Sequence, residues 1–82
     1  MTNKVKGLIN KVVADLDTDE IEDIINTDID EIIEADDNTG SVLEEVFDTV
    51  AYKLQEEEDM DNFTNLLENS YEVFEYIKKS VN

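Results

Sequence analysis

Apolar residues recur along this chain at helical intervals, and no stretch alternates as a half-buried strand would. Val5, Leu8, Ile9, Val12, Val13 and Leu16 follow the i, i+3, i+4, i+7, i+8, i+11 spacing of one helix face. They predict a helix near residues 3 to 16, with Thr2 as its N-cap. Ile21, Ile24, Ile25, Ile29, Ile32 and Ile33 continue the pattern, wind onto one broad side at 100° per residue and so predict a common core. Asp17 or Thr18 opens this segment, and Asp17 with Glu20 three residues later fits a capping box. Asp28 projects into the isoleucine stripe, and Thr27 followed by Asp30 resembles a fresh N-terminus, so the segment reads as one helix or as two broken near Asn26.

Asp36-Asp37-Asn38-Thr39-Gly40 is the clearest turn, and Ser41 with Glu44 repeats the capping-box signature. Val42, Leu43, Val46, Phe47, Val50 and Leu54 carry a helix to about Gln55. The acidic run from Glu56 to Asp61 ends that helix or bridges to the next. Phe63, Leu66, Leu67, Tyr71, Phe74 and Ile77 mark a last helix from about Asp61, with Lys78 and Lys79 complementing its dipole. The expected architecture is an all-α small bundle of four helices, or five if the second segment breaks, with no evident internal repeat.

At 82 residues the chain has room for one core, so residues 1–82 are read as a single acidic helical domain. Cysteine and histidine are both absent. That removes disulfides, the thiolate nucleophile, the usual base near neutral pH and the commonest metal ligand. With no glycine-rich phosphate loop either, the chain is not expected to be an enzyme, to take a cofactor or to hold a metal. Asp15-x-Asp17-x-Asp19 resembles the opening of a calcium loop, but Glu20 and Asn26 stand where the loop needs glycine and a bidentate glutamate. The apolar runs are too short to span a membrane, and no secretory leader is legible, so a cytoplasmic location is expected. The six aromatics fall mostly on apolar stripes and are expected in the core.

Charge is the informative feature. Twenty-three acids against six bases give a net charge of −17. Residues 17–37 hold eleven carboxylates and six isoleucines, and no base lies between Lys11 and Lys53. Wound as a helix, that stretch spans about 31 Å, roughly one negative charge per 3 Å, against one phosphate per about 3.4 Å of a DNA strand. The carboxylates expected to face a partner are Asp19, Glu20, Asp23, Asp30, Glu31, Glu34, Asp36 and Asp37, with Glu56, Glu57, Glu58, Asp59 and Asp61 as a second patch. Such a surface is repelled by nucleic acid and by anionic membranes, so no direct binding to either is expected. Its natural partner is basic. Crowded acids also predict stabilisation by salt and mild acid.

Small size, helical pattern, absence of cysteine and phosphate-like spacing together resemble the DNA-mimic proteins with which phages and mobile elements counter host defences. That resemblance implies stoichiometric inhibition of a basic DNA- or RNA-binding protein (a restriction, CRISPR, repair or nucleoid protein), by a monomer or homodimer. A second resemblance is to acyl carrier proteins, whose modified serine opens a helix after a loop containing Gly and Asp. Ser41 stands at such a place and Tyr76-Ile77 resembles the family's C-terminal end, but Gly40-Ser41-Val42 lacks the family's Asp before the serine. A third reading is a helical adaptor for a basic protein.

Overall fold

The computed structural model describes residues 1–35 and 39–82, and among them every regular element is a helix. They run α1 (Asn3–Ala14), α2 (Thr18–Asn26), α3 (Ile29–Glu34), α4 (Val42–Glu56), α5 (Met60–Glu68) and α6 (Ser70–Ser80). The small all-α bundle is therefore as the apolar spacing predicts, with six helices in place of four or five. None is long and apolar enough to cross a membrane.

Local chemistry sets most helix starts. Thr2 accepts from the Val5 N–H to open α1. Asp17 and Glu20 close a reciprocal capping box on α2, at 2.8 and 3.1 Å. Ser41 accepts from the Glu44 N–H to open α4, but Glu44 turns its carboxylate to the Thr39 N–H, so only half of the expected box forms. Asp59 opens α5 by accepting from Asn62.

The second segment is two helices, and the break has a reason in its sequence. Glu20-Ile21-Glu22-Asp23-Ile24-Ile25 recurs as Asp28-Ile29-Asp30-Glu31-Ile32-Ile33, a repeat of eight residues that the sequence analysis passed over. Eight residues of uninterrupted α-helix turn through about 800°, leaving the second isoleucine set roughly 80° out of phase with the first. Extended backbone at Thr27 and Asp28 resets the phase. Ile24 and Ile32 are then both buried, Ile21 and Ile29 both half-buried, and Ile25 and Ile33 both exposed, at 41% and 49%. The isoleucines do not all face the core, as their spacing in a single helix predicts. Asp28 is the α3 cap, accepting from Asp30 N–H, where Thr27 was the expected start. Thr27 instead ends α2.

The apolar stripe expected to make one last helix is likewise cut, at Asn69, whose backbone leaves the helical region (φ −114°, ψ 32°). No proline or glycine marks the place.

All six helices feed one core. Leu43, Val46, Val50 and Leu54 make α4 its spine, in contact with α1, α2, α5 and α6. Val5 and Ile9 pack from α1, Leu66 from α5, and Val73, Phe74 and Ile77 from α6. Phe74 meets the half-buried Phe47 with ring centroids 4.9 Å apart. Tyr52 and Tyr71 are exposed, against the core placement expected for the aromatics. Polar ties fasten the rim. Tyr76 donates to Asn10, Lys6 lies over the Tyr76 ring, and Lys78 donates to the Thr27 carbonyl, anchoring α6 at the α2–α3 break.

Candidate acidic interface

The acids of α2 and α3 divide by the face each helix gives them. Asp19, Glu22, Asp30 and Glu34 are exposed. Asp23 is exposed but engaged: its carboxylate reaches 3.1 Å across to accept from the Val42 N–H, one of the groups that a helix N-terminus leaves unpaired. Glu31, one repeat unit later, lines the same cleft as Asp23, a hollow of about 300 Å³ that Ile32, Thr27, Thr39 and Ser41 also line. Glu20 is half-buried, held by its capping bond, and lines a groove between α1 and α4 with Lys11 and Lys53. Asp36 and Asp37 lie outside the described residues.

The phosphate-like row expected along one helix is thereby bent. Nine residues of α2 and six of α3 rise about 13 and 9 Å, separated by extended backbone. Carboxylates leave the α2–α3 unit in two directions, one toward solvent and one toward the cleft at the start of α4.

The second patch lies at the other end of α4, about 22 Å away along a fifteen-residue helix. It is partly neutralised. Lys4 reaches Asp59 at 2.7 Å and Glu57 at 3.4 Å. The Lys4 ammonium, aided by the Asn62 amide and backbone N–H, holds the Asp59 carboxyl down to about 2. The same contacts push the Lys4 ammonium up. The nearby Glu56 carboxylate pushes the Tyr52 phenol up. Glu58 and Asp61 are exposed.

Among the described residues Lys4 is the sole base within 4.0 Å of a carboxylate. Lys78 is spent on a backbone carbonyl and Lys6 on an aromatic ring. The α2–α3 face thus faces solvent with its charge unpaired. Asp15, Asp17 and Asp19 form no calcium loop: Asp17 is the α2 cap and Asp19 lies in its first turn.

Ser41 Oγ accepts from both the Glu44 N–H and the Thr39 hydroxyl. Its position is that of a working helix cap.

Glu22, Ile25 and Ile33 are surface features that a single helical winding of residues 17–37 does not reveal. The signal was the eight-residue repeat, visible only when the two halves are aligned with each other rather than wound as one helix. Compared with protein-family models, curated proteins and solved structures, the chain matches none.

Proposed function

We propose that the α2–α3 face is a docking surface for a basic, nucleic-acid-binding protein, which the chain occupies in place of nucleic acid. The observation that carries this reading is the set of outward carboxylates, Asp19, Glu22, Asp30 and Glu34, none of which forms an ion pair with a lysine among the described residues. A surface that keeps this much like charge uncompensated costs a small domain stability, and a cationic partner recovers that cost on binding.

The mechanism is stoichiometric exclusion. Lys and Arg side chains set to neutralise phosphates accept carboxylates by the same charge-assisted hydrogen bonds, and Arg does so with two parallel bonds. The net charge of −17 steers the encounter and speeds it at low salt. Because the row is bent at Thr27–Asp28, the face offers a basic groove two short clusters of charge rather than one straight strand. The longest dimension of the molecule, 31 Å, matches about nine base steps at 3.4 Å each.

The test is capture of partners from a bacterial lysate on immobilised protein, followed by competition with duplex DNA. Partners released by DNA, and weakened about tenfold or more between 50 and 200 mM salt, are the expected result. Glu22→Gln with Asp30→Asn and Glu34→Gln should abolish capture while leaving helicity intact. Partners indifferent to both DNA and salt would overturn the reading.

A further inference from the structure

Surface charge alone does not account for what the repeat displays. Each half presents an isoleucine beside a carboxylate one helical turn earlier: Glu22 with Ile25 on α2, Asp30 with Ile33 on α3. All four are exposed. In both halves the same order runs across the helix: an acid on the cleft side (Asp23, Glu31), a buried isoleucine, then the exposed isoleucine. On each helix the exposed isoleucine, Ile25 or Ile33, therefore lies on the shoulder away from its cleft-side acid. Isoleucine has no polar atom to interest water, unlike the exposed tyrosines. The phase reset that repeats its exposure in both helices makes it a patterned feature rather than a stray one.

We propose that this shoulder binds a cationic amphipathic protein segment, one whose lysines or arginines flank an apolar stripe. The acids select the positive flanks and the two isoleucines take the stripe. The proposal rests on the acidic-interface reading and deepens it: the partner's basic surface carries an apolar contact at its centre, as a surface that reads thymine methyl groups among phosphates does. Charge complementarity fixes the occupant. A second copy of this chain would bring like charges together, and a purely polar polycation would leave both isoleucines in water.

Two fluorescent peptides of equal length and charge separate the two readings. One carries lysine and leucine at helical spacing, so that lysines flank a leucine stripe, and the other replaces every leucine with serine. The unaltered protein should bind the leucine peptide about tenfold more tightly by anisotropy, with the preference persisting as salt is raised to 300 mM. Ile25→Ser with Ile33→Ser should reduce that preference to within about twofold, leave the serine peptide's affinity unchanged, and keep helical circular dichroism. Ile25→Val with Ile33→Val should retain it. Equal binding of both peptides to the unaltered protein, a comparison that needs no variant, would overturn this inference and spare the acidic interface. Binding of neither would overturn both. A preference that survives at the isoleucine variants and disappears in Leu67→Ser, on the exposed side of α5, would assign the apolar contact elsewhere and overturn the proposal.

Discussion

Glu58 occupies the one left-handed backbone position held by a residue other than glycine among those described, with φ 57°. The geometry is that of a helix stop. Glu58 N–H donates to the Gln55 carbonyl and Asp59 N–H to Leu54, the paired bonds that close a helix through a left-handed residue. Glycine is the usual occupant, because a Cβ there crowds the following carbonyl by about 1–2 kcal/mol. Glu58→Gly should therefore stabilise the fold by about 1 kcal/mol in denaturant unfolding, somewhat offset by the freedom glycine adds to the unfolded chain. Glu58→Gln is the control that removes the charge and keeps the backbone. If both variants gain equally, charge relief is the cause and the backbone argument fails. The strain lies inside the acidic run from Glu56 to Asp61, where a lysine from α1 already claims two of the carboxylates.

At the scale of elements, what is legible in the sequence is what local chemistry decides. Thr2, the Asp17–Glu20 box and Ser41 were readable because a cap is a contact over three residues. The Asn69 break was not: Phe63, Leu66, Leu67, Tyr71 and Phe74 keep helical spacing straight across it, and the turn shows only in the tertiary contacts, where α5 and α6 each pack on α1 and α4 and also meet each other. The α2–α3 break is an intermediate case. A spacing of seven between the repeats would have left the stripes about 20° apart and allowed one helix, whereas eight requires an interruption. Asp28 makes that interruption stable by capping α3, at 3.0 Å from the Asp30 N–H. Asp28→Ala should cost about 1 kcal/mol in denaturant unfolding, despite removing a negative charge from a molecule with a large excess of them. Unchanged or increased stability would mean that repulsion outweighs the cap. The acid list of the candidate interface was legible as composition. Which acids serve the fold was not, because Asp23 reaches a helix nineteen residues away and Asp59 a lysine fifty-five residues away.

Over the whole molecule, two opposed charge effects set how stability answers to pH. Burial, with Glu44 nearby, pushes the Asp48 carboxyl up. Its folded form holds a proton more tightly than the unfolded chain does, so folding takes up protons there and stability grows as the solution is acidified toward the carboxylate range. Asp59 behaves in the opposite sense. Its carboxyl lies at about 2, below the ordinary value of 3.8, so its contribution is present above pH 4 and is lost as pH falls toward 2. The melting temperature should rise from pH 7 to pH 5.5, and rise also with added salt at pH 7, since both relieve repulsion in a molecule of net charge −17. Lys4→Met isolates the second effect. Its deficit against the unaltered protein should be constant between pH 5 and 7 and shrink as pH falls from 4 toward 2, because protonating Asp59 dissolves the ion pair that the substitution removes. A melting temperature that falls between pH 7 and 5.5 would mean that the folded molecule is not under net repulsion, and a Lys4→Met deficit that persists at pH 2 would mean that the lysine acts through packing of its stem rather than through Asp59.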